Sequence, residues 1–99
     1  VIRVASLLRL FAREGDRHPS SGLPGGSAIA REVENRLQTA PNFALVYFDL
    51  DYFKPFADTF GFFAADQIIA QTGALLGELA GKNADFAGHF GGDDFVLIC

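Results

Sequence analysis

The sequence predicts an α+β domain with a central, mostly antiparallel sheet and helices packed against it. Three short apolar runs, at 43–48, 85–90 and 95–99, have the composition of strands. Segments with helical periodicity precede and separate the first two runs, so the predicted order is helix, strand, helix, strand, strand. Gly91-Gly92 allow the chain to reverse tightly between the last two strands, which therefore form a hairpin.

The composition is that of one globular domain. The chain has 99 residues, 49% of them hydrophobic, a net charge of −4 and a pI of about 4.9, and this acidic balance argues against general nucleic-acid binding. A single Cys forms no internal disulfide, so we expect a reducing cytoplasm. No apolar stretch of the sequence suffices to cross a bilayer, and no signal peptide is visible. Because the sequence does not begin with Met, we expect a piece of a longer protein.

Two helices are predicted before the first strand. Residues 1–13 place apolar side chains at helical spacing, and this helix either packs on its own domain or ends a signalling stalk. A loop at 14–26 follows, and Ser27 is predicted to cap a second helix that ends before Pro41. The predicted apolar stripe of the second helix consists of Ile29, Val33 and Leu37. Glu32 and Arg36 are predicted to form an i,i+4 ion pair on the same helix.

A third helical segment is predicted to begin near Lys54, to bend around 60–61 and to continue over 66–80. Gly73 and Gly77 lie four residues apart on one face and allow close packing. The predicted core stripe consists of Ile68, Ile69, Thr72, Leu75, Leu76, Leu79 and Ala80.

Acidic residues are predicted to meet at one edge of the sheet. Asp49 and Asp51 follow the strand at 43–48, and Asp93-Asp94 lies at the tip of the predicted hairpin. If these strands lie side by side, Asp49 converges with the second pair. Clustered carboxylates repel one another unless a cation sits among them, and all-oxygen ligation suits Mg²⁺. The alternative is that these acids only cap or solvate turns.

Residues 22–24 are GLP, residues 48–54 are FDLDYFK and residues 91–95 are GGDDF. With these motifs the sequence resembles the GLP turn, the FDLDxFK segment and the signature of the GGDEF domains, the bacterial diguanylate cyclase family. Further family positions are matched by Asp58, Gly61 and Asp66. The resemblance implies the palm-like fold of nucleotidyl cyclases, of which we expect only a part, because the family's domain continues through a further helix and strands. We therefore expect an N-terminal helix and linker at 1–17 and the N-terminal portion of a GGDEF domain at 18–99.

The activity that the resemblance implies is the condensation of two GTP molecules into cyclic di-GMP in signal transduction. The 3′-hydroxyl of one GTP attacks the α-phosphate of the other and pyrophosphate leaves, which needs metal ions and alignment more than a covalent nucleophile. The implied cofactor is Mg²⁺ or Mn²⁺. The implied partners are GTP, a second copy in a homodimer and a fused sensor or effector domain, with no nucleic acid polymer and no membrane within this segment.

The resemblance assigns roles only to the residues that match. The implied metal ligands are Asp49, the Leu50 carbonyl and Asp93, and the implied catalytic residues are Asp94, Asp93 and Lys54. The implied nucleotide-binding residues are Lys54, Phe53, Asp58, Asp66, Gly91 and Gly92. The remnant of the family's feedback site, RxxD, is Lys82 with Asp85.

Several positions depart from the family pattern. Asp94 replaces a Glu and is one methylene shorter, and such a misalignment can cost about 10²-fold in rate. Ala57 replaces the Asn that binds guanine, which removes a donor and an acceptor. Lys82 lacks the planar fork of the family's Arg, so feedback binding should be weak or absent. The other departures are Gly25, Gly26, Phe62 and Ala65, where the family has Asn, Arg, His and Gly.

Three functions stay open at this point. The first, our main hypothesis, is a diguanylate cyclase with reduced activity. The second is a degenerate GTP-binding module that controls an attached domain such as an EAL phosphodiesterase. The third is a structural dimerisation domain. The metal-facing acids favour the first two over the third, whereas Ala57 and Asp94 favour the second over the first.

His18 and His89 stand where the family has an Asp and an Arg that are thought to form an ion pair. We favour the interpretation that they are two unrelated surface histidines. The alternative is that they still lie close together, in which case folding lowers the pKa of at least one of them, because neighbouring imidazoliums repel.

Overall fold

The computed structural model of the protein describes residues 4–39, 42–83 and 85–99. Its elements in chain order are α1 (Val4–Ala12), α2 (Gly26–Thr39), β1 (Leu45–Asp49), α3 (Phe53–Lys82), β2 (Phe86–Phe90) and β3 (Asp94–Ile98). The predicted α+β class is confirmed, and each predicted strand is present with bounds that differ from the prediction by no more than two residues. The first three residues of the predicted N-terminal helix lie outside the described residues.

β3 is the middle strand of a three-stranded antiparallel sheet with the order β1-β3-β2. The sequence of β3 accounts for this position, because an unbroken apolar run is typical of a strand that is covered on both faces. Accordingly, Phe95, Val96 and Ile98 are each 0% exposed. The register pairs Asp49 on β1 directly with Asp94 on β3. The sheet therefore ends with two carboxylates facing each other across adjacent strands.

Helices cover both faces of the sheet. The core on the side of α1 and α2 contains Phe11, Ile29, Ala30, Val33, Val96 and Ile98. The core on the side of α3 contains Ile69, Leu76, Ala80, Ala87 and Phe95. Successive strand residues point to opposite faces, so neighbouring residues of β3 contribute to different cores. β1 forms an edge of the sheet, and its Val46, Tyr47 and Phe48 are exposed.

α3 changes direction at Gly61, whose φ of 89° and ψ of 172° are not helical, and this confirms the predicted bend. The predicted core stripe is too wide. Ile69, Leu76 and Ala80 are buried, whereas the exposed members are Ile68, Leu75 and Leu79. Within the described part of the chain the sheet has three strands and α3 packs on one side of it, so the sheet covers a narrow line of the helix.

The loop that contains residues 22–24 packs closely against α3. A Cβ at Gly73 would lie 2.7 Å from Ser21 Cβ, and one at Gly77 would lie 3.3 Å from Leu23 Cδ2. The prediction that these two glycines allow close packing is therefore confirmed. The same loop is tied to the sheet, because the His89 N–H donates to the Pro24 carbonyl at 2.9 Å.

Two details of the α2 prediction are wrong. Ser27 lies inside the first turn, since α2 begins at Gly26, and its hydroxyl donates to Asp16 Oδ1 instead of capping the helix. Leu37 is 52% exposed because it lies near the end of α2, beyond the core that buries Ile29 and Val33. The predicted ion pair between Glu32 and Arg36 is present at 2.8 Å. Among the helices of the described part of the chain, none has the length and apolar character that a membrane crossing requires.

Candidate functional site

The turn between β2 and β3 carries the signature motif. It consists of Gly91, Gly92 and Asp93. Gly91 adopts a φ of 67°, a backbone conformation that residues other than glycine rarely adopt. Asp94 is already the first residue of β3 and pairs with Phe90. The prediction that both acids lie at the tip is therefore wrong for Asp94, because strand pairing extends one residue further than the sequence pattern indicates.

The predicted convergence of acids is confirmed. Asp49, Asp93 and Asp94 each offer a carboxylate oxygen, and these oxygens lie within 4.8 Å of one another. Strand register brings Asp49 opposite Asp94, and the Leu50 N–H donates to the Asp93 carbonyl at 3.4 Å, which holds the turn beside the end of β1. We call these three residues the acid cluster.

The electrostatics of the acid cluster are those of like charges held together. Burial raises the pKa of the Asp93 carboxyl, and the Asp49 carboxylate raises it further. Burial also raises the pKa of Asp94, as do the charges of the other two acids. Hard carboxylate oxygens at such spacing suit Mg²⁺ or Mn²⁺, and a bound cation would relieve the repulsion. The cluster therefore fits the metal that the sequence implies.

Tyr47 belongs to this site, and the sequence analysis missed it. It lies two residues before Asp49 on β1, hence on the same face, and its hydroxyl hydrogen-bonds the Asp94 carboxylate. Partial burial raises the pKa of the Tyr47 phenol, and the Asp94 carboxylate raises it further. The period of two in β1 was the signal that could have identified it, once the strand register was known.

Four of the residues carried over for nucleotide binding lie on α3, and the other two, Gly91 and Gly92, lie in the turn. Lys54 forms an exposed ion pair with Asp58 at 3.4 Å, and Asp66 is exposed. Phe53 is half-buried and, with the residues that follow Asp49, lines a cavity of about 230 Å³. The described residues that line this cavity are Leu50, Asp51, Tyr52, Phe53, Phe56 and Ile68, without Lys54, Asp58 or Asp66.

The two residues of the feedback-site remnant, Lys82 and Asp85, form contacts with different partners. Lys82 forms an ion pair with Glu78 at 3.5 Å, one turn back along α3. The Asp85 N–H donates to the Ala80 carbonyl at 2.9 Å.

The two histidines lie together, so the interpretation that they are unrelated surface residues is wrong. The rings of His18 and His89 stack with centroids 3.5 Å apart and an interplanar angle of 15°, and His89 also stacks on Phe95 at 4.3 Å. His89 is 0% exposed. His89 is buried because of its place in β2. Its side chain shares a face of the sheet with Phe95, so it points into the core on the side of α3, under the loop that carries His18.

Hydrogen bonds determine which ring nitrogen of neutral His89 carries the proton. Its Nε2 lies 3.0 Å from the Gly92 carbonyl, which can only accept, so Nε2 carries the proton. Its Nδ1 then accepts from the Ser21 hydroxyl at 2.8 Å, while the same hydroxyl oxygen accepts the Leu23 N–H at 3.2 Å. Burial lowers the pKa of His89 and the stacked His18 lowers it too, against the opposing effects of the Gly92 carbonyl and the Glu14 carboxylate.

Comparison with known proteins identifies the family to which this chain belongs. The family model described as "Diguanylate cyclase, GGDEF domain" matches residues 19–99, and the chain therefore belongs to the GGDEF family. It is 34% identical over 86 residues to the diguanylate cyclase DgcP of Pseudomonas aeruginosa, which covers 81% of this chain and 12% of that protein. It is 30% identical over 82 residues to the diguanylate cyclase DgcP of Escherichia coli, which covers 79% of this chain and 24% of that protein.

Solved structures agree with this assignment. The GGDEF domain of DgcB from Caulobacter crescentus, solved in complex with c-di-GMP, superposes with a TM-score of 0.78 at 27% identity, over 88% of this chain and 51% of that chain. The diguanylate cyclase SiaD of Pseudomonas aeruginosa, solved with its activator SiaC, gives 0.75 at 25% identity, over 92% and 36%. The chain thus spans about half of the DgcB domain structure and smaller parts of the other three proteins.

The acid cluster generates a stability prediction. Asp49→Asn removes one of two carboxylates that face each other across β1 and β3, so it should raise the metal-free free energy of unfolding by roughly 0.2–1 kcal/mol. The same change should reduce the additional stabilisation by Mg²⁺. The measurement is denaturant unfolding of the full-length protein with and without Mg²⁺. Asp51→Asn is the matched control, since Asp51 is exposed and outside the cluster, and unchanged metal-dependent stabilisation in Asp49→Asn would contradict a cation site.

The histidine stack generates a pH prediction. The native state binds fewer protons than the unfolded state when the pKa of His89 is lowered, so the free energy of unfolding should fall as the pH drops from about 6.5 towards the folded pKa, and level off below it. In NMR titrations, His89 should titrate below 6.5 in the parent. His18→Ala should move its midpoint upward, because it removes both a neighbouring charge and part of the cover. An unchanged His89 midpoint in His18→Ala would show that the rings are not coupled.

Proposed function

We propose that this chain is part of a diguanylate cyclase domain that condenses two GTP molecules into cyclic di-GMP, at a rate reduced by its departures from the family pattern. The observation that carries the proposal is the acid cluster, three carboxylates within 4.8 Å at the end of the sheet. Support comes from family membership and from relatives named as diguanylate cyclases at 30–34% identity.

The acid cluster would hold the metal. Asp49, Asp93 and the Leu50 carbonyl are the proposed ligands of Mg²⁺ or Mn²⁺, and the bound ion would neutralise phosphate charge and lower the pKa of the attacking hydroxyl. The crowding of negative charge supports this assignment, because the neighbouring carboxylates add to the effect of burial in raising the pKa of Asp93 and Asp94.

The other proposed roles belong to the turn and to α3. A Cβ at Gly92 would meet no atom of the described residues within 4 Å, so the backbone there is open to the close approach of a nucleotide. Asp94 would take the catalytic role of the Glu that it replaces in the signature motif, with Tyr47 hydrogen-bonded to its carboxylate. Lys54 and the backbone at Phe53 would contact the phosphates. For this contact the Lys54 ammonium must leave its weak, exposed ion pair with Asp58. The remaining proposed nucleotide contacts are Asp58, Asp66 and Gly91.

The reaction would need two copies of the domain. Each copy would hold one GTP, the 3′-hydroxyl of each GTP would attack the α-phosphate of the other, and two pyrophosphates would leave. We accordingly propose a homodimer in the cytoplasm, where GTP is available, controlled through residues 1–17 by a fused sensor or effector domain. The residues from 18 onward would form the catalytic portion.

A regulatory GTP-binding module is the second candidate function, with an attached domain such as an EAL phosphodiesterase as its target. It is favoured by Ala57, which offers no hydrogen bond to a base. In this alternative the acid cluster would hold metal and nucleotide without turnover.

The test is an assay of the full-length protein with GTP and Mg²⁺, in which cyclic di-GMP is quantified by chromatography and mass spectrometry. We expect slow product formation that Asp93→Asn abolishes. Asp94→Glu restores the missing methylene and should raise the rate by up to about 10²-fold. GTP binding without product in both the parent and Asp94→Glu would favour the regulatory module, and no GTP binding at all would contradict both functions.

The loss of the Asn at position 57 generates a second prediction. Ala57→Asn should tighten GTP binding by about 1 kcal/mol, the usual net contribution of one hydrogen bond, and should increase the preference for GTP over ATP. Calorimetric titration of both nucleotides in the presence of Mg²⁺ measures both effects. Thr59→Asn, on the exposed surface of the same helix, is the control. Equal GTP affinity in the parent and Ala57→Asn would place base recognition elsewhere.

A further inference from the structure

The turn that carries Asp93 is held by two side chains of the loop that follows α1, Glu14 and His18, and by His89 of β2. Both carboxylate oxygens of Glu14 lie 3.2 Å from the Gly91 nitrogen and accept its N–H. His18 Nε2–H donates to the Gly91 carbonyl, and His89 Nε2–H donates to the Gly92 carbonyl at 3.0 Å. Polar groups on both sides of Gly91 are therefore bound by residues of the loop that follows α1.

Glu14 is itself fixed at the end of α1. Its N–H donates to the Phe11 carbonyl at 3.1 Å, and Phe11 is 0% exposed. The Phe11 ring packs edge-on against Phe90 with centroids 4.6 Å apart, and Phe90 is the residue before Gly91. A Cβ at Gly26 would lie 2.8 Å from Glu14 Cβ, so the start of α2 closes on the same residue. The end of α1 and the hairpin thus form two contacts, one apolar and one charge-assisted.

We propose that Glu14 is a positioning residue for the acid cluster and sets its affinity for divalent metal through the Gly91 peptide. Gly91 is two residues before Asp93, within a turn of three residues, so the orientation of its peptide limits where the Asp93 carboxylate can lie. A hydrogen bond from this N–H to a carboxylate is among the stronger kinds in proteins. Without it, the turn gains alternative conformations that separate Asp93 from Asp49. The inference rests on the proposed function in one respect, namely that the acid cluster binds metal.

The consequence is that the segment before the domain acts on the site through Glu14. Any displacement of the end of α1 moves the acceptor of the Gly91 N–H, while the Phe11–Phe90 contact transmits the same displacement to the end of β2. Outer groups that orient metal ligands typically change metal affinity by about 10-fold or more when they are removed.

The test is a titration of the full-length protein with Mn²⁺ alone, with free Mn²⁺ measured by electron paramagnetic resonance. Glu14→Ala should weaken Mn²⁺ binding by roughly 10-fold. Glu14→Asp keeps the charge but is one methylene too short to reach Gly91, and should also weaken it. Glu14→Gln loses the charge but keeps an acceptor oxygen at the same reach, and should retain most of the parent affinity. Glu34→Ala, an exposed carboxylate on α2, is the control and should bind as the parent does.

The outcomes separate this inference from the proposed function. If Glu14→Ala does not fold, the Asp and Gln variants decide, because a positioning role requires Gln to bind Mn²⁺ more tightly than Asp does. The reverse order would indicate a long-range effect of charge, and equal affinity of both with the parent would indicate a purely structural residue. Either result would overturn the inference alone. Loss of Mn²⁺ binding in Asp93→Asn would support the cluster, whereas failure of the parent to bind Mn²⁺ would overturn both the cluster and the role of Glu14.

Discussion

The antiparallel pairing of β1 with β3 is the constraint on which the rest of this structure depends. Its register places Asp49 opposite Asp94, and the turn before β3 then brings Asp93 to the same place. Side chains alternate between the faces of a strand, so a slip of one residue would send Asp49 to the opposite face and disperse the acids. Leu45 of β1 opposes this slip, because the same shift would turn its side chain away from the core on the side of α1 and α2.

The acid cluster costs stability that other parts of the fold supply. Like charges directly opposite in a sheet are unfavourable. Burial raises the pKa of Asp93 and Asp94, and the neighbouring carboxylates raise it further. The opposing contributions are the two cores and the contacts that the loop after α1 makes with the hairpin turn. A site that is strained in the absence of its ligand, on a well-packed scaffold, is typical of functional centres.

Sequence reasoning was most successful where the signal is local. The apolar run of β3, the glycine turn and the bend at Gly61 each follow from neighbouring residues, and the convergence of acids followed from adding one hairpin to one strand. It failed for features set by distant contacts. The stack of His18 on His89 joins residues 71 positions apart, and the Glu14 contact with Gly91 joins residues 77 apart, as their numbers show. Tyr47 and the place of Asp94 within β3 depend on register, which composition does not specify.

We propose above that Asp49 and Asp93 jointly bind a divalent cation beside a nucleotide. A crystal structure of the full-length protein with Mn²⁺ and a non-hydrolysable GTP analogue would test this directly, through the anomalous signal of manganese. We expect an anomalous peak within coordination distance of carboxylate oxygens of both Asp49 and Asp93, at about 2–2.5 Å for oxygen ligands of such ions. An ordered nucleotide with its manganese elsewhere, or a cluster that stays empty at saturating Mn²⁺, would contradict it.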